Sequence, residues 1–153
     1  MSTASKKQNA DKVPPTSEES NMIRLLLTLV LILTPHLADA QVPKDRAVLA
    51  IIGESENQGA KGMLLVACAI RNRGTLKGVY GEKAPRVVHH LYTRQIEDLA
   101  VMAWNVSASP ENCTEIEGAD HWENVKAFGT PKWADKMEIT FMYKDHVFFR
   151  EKK

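Results

Sequence analysis

The chain has 153 residues, of which 44% are hydrophobic and 25% are charged, and its formal net charge at pH 7 is +1. This composition is typical of a globular protein, and the length is that of one domain. The charge balance offers no electrostatic basis for binding nucleic acid, and two cysteines are too few for a disulfide scaffold or for a closed zinc site made of cysteines.

The N-terminal part of the chain divides into two segments that precede the folded domain. Residues 1–21 are polar and almost free of aliphatic side chains, which predicts a disordered extension. Residues 22–40 contain one arginine, the apolar run Leu25–Leu33 and a small-residue motif, which together predict a signal peptide cut after Ala40. The apolar run is shorter than the roughly 20 residues of a membrane span, so an uncleaved anchor is the less favoured alternative. A translation start at Met22 would account for the extension.

Cleavage after the signal leaves residues 41–153 as the functional domain. We expect it to be a monomer that is secreted or located in the periplasm or cell envelope, with transient membrane contact through the signal segment. Export also permits a disulfide between Cys68 and Cys113. The alternative is a buried free thiol at Cys68 and an exposed thiol at Cys113, and the sequence favours neither.

An apolar run marks the first helix of the domain. Ala47–Ile52 are all apolar, which predicts a helix that is buried on every side, begins at the N-cap residue Asp45 and ends near Glu54. Residues 60–73 then carry apolar side chains at spacings of three and four, which predicts a second helix that ends at Gly74.

The pattern of the remaining chain predicts a loop, a third helix and a sheet. Residues 75–88 contain glycine and proline and read as a long surface loop, whereas residues 93–107 carry an apolar stripe typical of a helix. Beyond Ala119 the period changes to two, which predicts strands at His121–Asn124, Met137–Tyr143 and His146–Arg150. Helices followed by a small antiparallel sheet define an α+β domain.

Several kinds of catalytic site are disfavoured by the sequence. The histidines show no His-x-x-x-His spacing, so we expect no metal, although His121 and His146 could meet in the folded sheet. No Gly-x-Ser-x-Gly motif is present, which disfavours a serine hydrolase of that type. A pairing of Cys113 with His121, as in a cysteine peptidase, has only weak support.

The carboxylate of Glu54 is the best candidate for chemistry. It follows the buried run directly, where desolvation and the negative end of the helix dipole favour the protonated form that a general acid needs. Glu56 lies about 200° further around the same helix and cannot face the same cleft. From periodicity alone, an ordinary solvated glutamate at a helix end is the better interpretation of Glu54.

Aromatic side chains could supply the apolar faces on which sugars stack. The candidates are Trp104, Trp122, Trp133 and Tyr143. Trp104 lies on the apolar stripe of the third helix and is expected in the core, whereas Trp122 and Trp133 lie in polar surroundings.

A set of short motifs occurs in order along residues 48–150, with a gap in the middle. They are Gly53-Glu54-Ser55, Gly62, Leu65–Arg73, Gly118-Ala119, His121-Trp122, Asn124, Pro131-Lys132-Trp133 and Asp145–Phe149. The ordered set resembles the SleB-like cell wall hydrolases, which include the spore cortex-lytic enzymes. The chain departs from that family at Gln58, where many members have a glutamate, and at Val125, where proline is common.

The resemblance implies a lysozyme-like fold, the glycan strands of peptidoglycan as substrate, Glu54 as the catalytic acid and no cofactor. In lytic transglycosylation the acid protonates the glycosidic oxygen and then accepts the proton of the C6 hydroxyl that attacks within the same sugar. This chemistry does not need the two carboxylates that ordinary glycosidases use. Hydrolysis by water is the other outcome, with Asp120 or Glu117 as the second group. The expected substrate-binding residues are His121, Trp122, Asn124 and Trp133.

Three alternatives are consistent with the same sequence. One is a catalytically inactive module that binds peptidoglycan, and another is a phage lysin of the same chemistry. The third is an unrelated secreted protein whose helix happens to end in Gly-Glu.

Overall fold

Helices precede strands along the chain, as the hydrophobic pattern predicts. The computed structural model describes residues 42–152, so the predicted extension over residues 1–21 and the predicted signal peptide over residues 22–40 lie outside the described residues. Within the described range, helices are followed by a three-stranded antiparallel sheet, and the α+β prediction is confirmed. No helix in this range is long and apolar enough to cross a membrane.

Three longer helices form one side of the core. They are α1 (Lys44–Ser55), α2 (Gly59–Arg73) and α4 (Arg94–Val106). The apolar run of α1 is buried because this helix packs against both of the others. Asp45 lies in the first turn of α1 and Pro43 is the N-cap, so the predicted cap was wrong. The predicted ends of α2 and α4 agree with the structure to within one residue.

The segment between α2 and α4 is more regular than a loop. It contains a 3₁₀ turn at Gly81–Lys83 and the short helix α3 at Pro85–Val88. Arg46 of α1 donates to both carboxylate oxygens of Glu82, at 2.8 and 2.7 Å. A second ion pair joins Arg86 to Glu56 at the end of α1. These contacts hold the segment against α1.

The sheet lies at the C-terminal end of the chain and has the strand order β1-β3-β2. Its elements are β1 (His121–Asn124), the short helix α5 (Val125–Phe128), β2 (Met137–Tyr143) and β3 (His146–Glu151). β3 is central, and both Phe148 and Phe149 are buried. Trp122 of β1 is opposite Phe148, and a bulge in β2 lies between Ile139 and Phe141.

Two tertiary links join the helices to the rest of the domain. Cys68 of α2 forms a disulfide with Cys113, so neither cysteine is a free thiol and the proposed pairing of Cys113 with His121 is wrong. Gln58, just before α2, is buried, and its backbone carbonyl accepts a hydrogen bond from Lys144 Nζ at 2.8 Å. Gln58 therefore contacts the turn of the β2–β3 hairpin.

Candidate active site

Glu54 is positioned by a close crossing of two backbone segments. A Cβ atom on Gly53 would lie 1.9 Å from the carbonyl oxygen of Gly81, and a Cβ atom on Gly81 would lie 2.2 Å from the carbonyl oxygen of Ala50. Real atoms cannot approach so closely, so only glycine fits at either position. The 3₁₀ turn that begins at Gly81 therefore lies directly on the last turns of α1.

The crossing brings backbone donors to the Glu54 carboxylate. Oε1 accepts hydrogen bonds from the backbone N–H groups of Tyr80 and Gly81, at 3.0 and 2.6 Å. Oε2 accepts a longer one, 3.3 Å, from the indole N–H of Trp122 on β1. Donors from the α2–α4 segment and from the sheet thus hold one carboxylate in one orientation.

This carboxylate lines a cleft of about 620 Å³ between the α2–α4 segment and the β1 side of the sheet. The lining residues are Glu54, Arg73, Gly78, Val79, Tyr80, His121, Trp122, Glu123, Phe128 and Trp133. The volume falls within the range of about 300–1,000 Å³ that is usual for ligand sites.

Four of the residues singled out from the sequence meet in this cleft: Glu54, His121, Trp122 and Trp133. Asn124 is not among the lining residues. Its Oδ1 instead accepts a hydrogen bond from the backbone N–H of Ala127, at 2.9 Å, and caps α5. The expected role of Asn124 in substrate binding therefore has no support from its position.

Aromatic rings flank the cleft. The His121 and Trp133 rings are 5.3 Å apart, and Trp133 packs edge-on against Phe149 at 5.2 Å. Because a carboxylate can only accept, Nδ1–H of His121 donates to Asp120, at 2.8 Å. Trp104 belongs to the core, as predicted, and Tyr143 is not among the cleft residues.

Two exposed aromatic residues in the cleft were missed from the sequence. Tyr80 is 71% exposed and Phe128 is 80% exposed. Trp133, which was predicted, is 39% exposed. Large apolar side chains are seldom left in water without a binding role when they cluster at a cleft. No periodic pattern of the sequence distinguished Phe128, which ends the short segment Val125–Phe128 before Gly129.

The second carboxylate of the cleft is Glu123, rather than Asp120 or Glu117. Neither Asp120 nor Glu117 lines the cleft. Asp120 accepts a hydrogen bond from His121, and Glu117 lies just after a 3₁₀ helix with a left-handed backbone. Burial raises the pKa of Glu123 and the charge of Glu54 adds to the rise, while a hydrogen bond from the Asn124 N–H opposes it. Alternation along a strand places Glu123 on the same face as His121, a signal that the sequence already contained.

A cation completes the cleft. Arg73, the last residue of α2, has no ion pair within the range 42–152 that the structure describes. Its Nη2 lies 3.1 Å from the point where a Cβ atom of Gly78 would be, so the absence of a side chain at Gly78 leaves room for the guanidinium group.

Comparisons of the chain with protein-family models, with curated proteins and with solved structures found no match. The resemblance to the SleB-like hydrolases therefore stays a prediction from the motifs.

Other parts of the described chain offer less chemistry. Residues 42–152 contain no group of three or more His, Cys, Asp or Glu side chains that could hold a metal ion. His121 pairs with Phe149 and His146 with Asn124, so the two histidines are at opposite ends of the β1–β3 ladder and do not meet. A second groove, of about 420 Å³, lies between α2 and α4 and is mainly apolar.

Proposed function

We propose that this protein cleaves the glycan strand of peptidoglycan outside the cytoplasm, with Glu54 as the general acid and base. The observation that carries the proposal is the position of Glu54 at the wall of an open cleft, held there by three N–H donors from two elements. A carboxylate in one fixed orientation beside a cavity is what proton transfer to a bound substrate requires.

The two oxygens of Glu54 are not equivalent. Oε1 accepts two backbone hydrogen bonds, whereas Oε2 has only the 3.3 Å contact with the Trp122 indole. We therefore assign proton transfer to Oε2. The Glu54 carboxyl protonates the glycosidic oxygen as the C1–O bond breaks. The resulting carboxylate accepts the proton of the C6 hydroxyl, whose oxygen bonds to C1, and the products are an anhydro sugar and a shortened strand.

The other residues of the cleft suit a glycan that carries acidic groups. Tyr80, Phe128 and Trp133 offer exposed aromatic faces against which the apolar faces of sugar rings can pack. The guanidinium group of Arg73, which has no ion pair among residues 42–152, suits a carboxylate of the peptide carried by the glycan strand of peptidoglycan.

The disulfide supports the predicted export. Structural disulfides form and persist in oxidising compartments such as the periplasm or the cell exterior. The Cys68–Cys113 bond joins α2 to the 3₁₀ segment Pro110–Ile116 and is away from the cleft. A structural bond of this kind suits a secreted or periplasmic enzyme.

The test is to incubate the exported protein with purified peptidoglycan and to identify the released fragments by mass spectrometry. Glu54→Gln should lower the rate of release by about 100-fold or more, since it removes the proton that general acid catalysis needs. Glu97→Gln on α4, which is not a cleft residue, should leave the rate unchanged. Binding of the parent protein to peptidoglycan without release of fragments would indicate an inactive binding module. If the parent protein neither binds peptidoglycan nor releases fragments, the proposal is overturned.

A further inference from the structure

The cleft contains a carboxylate that lytic transglycosylation does not use. We propose that Glu123 is a second catalytic residue, the base that removes a proton from an attacking water, so that this protein hydrolyses the glycan strand as well as forming anhydro products. The inference rests on the proposed function and names the reaction outcome of the same site.

Glu123 follows Trp122 directly on β1, and both residues line the cleft. The Trp122 indole donates to Oε2 of Glu54, and the next residue of β1 supplies the second carboxylate. Both carboxylates line the same cleft of about 620 Å³. One strand therefore orients the acid and also supplies the proposed base.

The hydrogen bonding of Glu123 leaves one oxygen available. Oε1 accepts a hydrogen bond from the backbone N–H of Asn124, at 2.9 Å, which restricts the carboxylate to one side of the strand. No residue in the described range 42–152 donates a hydrogen bond to the other oxygen, Oε2. A half-buried carboxylate at the wall of the cleft, with one oxygen that accepts no hydrogen bond from the described residues, is placed as a general base would be.

The electrostatic surroundings strengthen this base. Burial raises the pKa of Glu123, a hydrogen bond from the Asn124 N–H opposes the rise, and the charge of Glu54 adds to it once that carboxyl has given up its proton. A carboxylate with a raised pKa binds the proton of water more readily than an exposed one does. The other titratable or charged groups lining the cleft are Arg73 from α2, Tyr80 from the α2–α4 segment and His121 from β1.

The hydrolytic step balances as follows. The Glu54 carboxyl gives its proton to the glycosidic oxygen, and the C1–O bond breaks. Water attacks C1, and one of its protons moves to Oε2 of Glu123. The product carries a hydroxyl group at C1, which is a reducing end, and the proton on Glu123 then leaves to solvent while Glu54 is protonated again. Two carboxylates acting in this way are the usual arrangement of glycosidases.

The experiment measures both product classes from the same digestion of peptidoglycan. Anhydro fragments and reducing-end fragments differ in mass by one water and can be counted together. The parent protein should release both. Glu123→Gln should lower the yield of reducing ends by about 100-fold while anhydro fragments persist, because the C6 hydroxyl needs only Glu54. Glu54→Gln should lose both classes.

Three results distinguish this inference from the function on which it rests. If the parent releases only anhydro fragments, or if Glu123→Gln releases reducing ends at the parental rate, Glu123 is not the base and the proposed function still holds. If the parent releases no fragments, both fall. Glu123→Gln retains an oxygen that can accept a hydrogen bond from the Asn124 N–H. This variant should therefore fold, and its thermal unfolding should resemble that of the parent protein. Glu123→Asp should restore part of the reducing-end yield, which a purely structural role would not explain.

Discussion

At the scale of single residues, the orientation of Glu54 depends on donors rather than on counter-charges. Two of these donors belong to the backbone and cannot be removed by changing a side chain. The third, the indole N–H of Trp122, can be removed while the aromatic ring is kept. Trp122 is only 9% exposed, so the ring itself also belongs to the core.

Trp122→Phe should separate these two roles. Loss of a hydrogen bond to a charged group amounts to about 1.5 kcal/mol, which is about tenfold in kcat. The smaller phenyl ring should keep part of the packing, so the free energy of unfolding should fall by about 1–3 kcal/mol. Steady-state kinetics and urea unfolding measure the two effects. An unchanged kcat would mean that the indole does not orient the acid.

Arg73→Gln should weaken substrate binding selectively. A guanidinium group without an ion-pair partner in the described part of the chain can bind a carboxylate of the substrate by a charge-assisted hydrogen bond. Loss of this hydrogen bond costs about 1.5 kcal/mol of binding free energy, which should raise KM for peptide-bearing glycan by about tenfold. KM for an uncharged glycan should not change. Arg94→Gln, on the exposed side of α4 and outside the cleft, is the matched control, and an equal rise in both KM values for Arg73→Gln would contradict the assignment.

His146 should make the stability of the protein depend on pH. It is buried at the start of β3, and burial lowers its pKa below the ordinary value of 6.5, an effect that the charge of Asp145 only partly opposes. Below about pH 6.5 the unfolded chain therefore binds a proton that the folded protein does not. The free energy of unfolding should fall as the pH drops through and below this value.

The measurement is urea unfolding at about pH 7.5 and about pH 5.5. His146→Gln should lose less stability between these two values than the parent does, because glutamine does not titrate. His89→Gln, at an exposed histidine, should behave as the parent does. A pH dependence that survives in His146→Gln would assign the effect to another group.

At the scale of secondary-structure elements, the crossing of α1 and the segment after α2 determines the geometry of the candidate active site. Gly53→Ala should push the carbonyl of Gly81 away, because the new Cβ atom would lie 1.9 Å from its oxygen. The backbone N–H groups of Tyr80 and Gly81 would then no longer form their hydrogen bonds to the Glu54 carboxylate. A displacement of about 1 Å can lower a rate by about 100-fold, and the overpacking itself should lower the free energy of unfolding by about 1–3 kcal/mol.

Gly118→Ala is the appropriate control for this substitution. Gly118 has a φ of 79°, so alanine is strained there, yet its Cβ atom would meet no other atom within 4 Å. The control should therefore lose stability without losing activity. If Gly53→Ala and Gly118→Ala lost similar fractions of kcat, the crossing would not be what holds the acid.

The elements that the sequence predicts well are those with a strong local pattern. The bounds of α2 follow from apolar spacing, because its middle from Gly62 to Ile70 is largely buried. Those of β2 follow from the alternation of its side chains, although none of its residues is fully buried. The segment after α2 has no such pattern, and its 3₁₀ turn and short helix are stabilised by contacts with α1 such as the Arg46–Glu82 pair. Tertiary contacts of this kind leave no periodic signal in the sequence.

The same distinction explains what was found of the candidate site. Glu54 stands out because it follows a buried run, but backbone donors such as the N–H of Gly81 carry no residue-type signal. The position of Asn124 does not favour its predicted role, because a polar residue after a strand can serve equally as a ligand contact or as a helix cap, and here it caps α5. Glu123 was overlooked although it shares a strand face with His121.

At the scale of the whole molecule, the disulfide restricts the unfolded chain. Cys68 and Cys113 are 45 residues apart, and closing a loop of that length accounts for about 4 kcal/mol of stability in the chain-entropy model. The double variant Cys68→Ala/Cys113→Ala should therefore lower the free energy of unfolding by about 2–4 kcal/mol. Urea unfolding with and without a reducing agent measures this. The reducing agent should affect only the parent, and an effect of equal size on both would contradict the assignment.

Two glycines that must meet in space leave a signature that can outlast overall sequence similarity. Gly81 follows Glu54 by 27 positions, and Gly53 immediately precedes that glutamate. The requirement comes from the approach of two main chains, so most other surface positions can diverge without disturbing it. Distant proteins that share this cleft should keep glycine at both positions and a carboxylate at the position of Glu54, and a search for these three residues can reveal kinship where alignment fails.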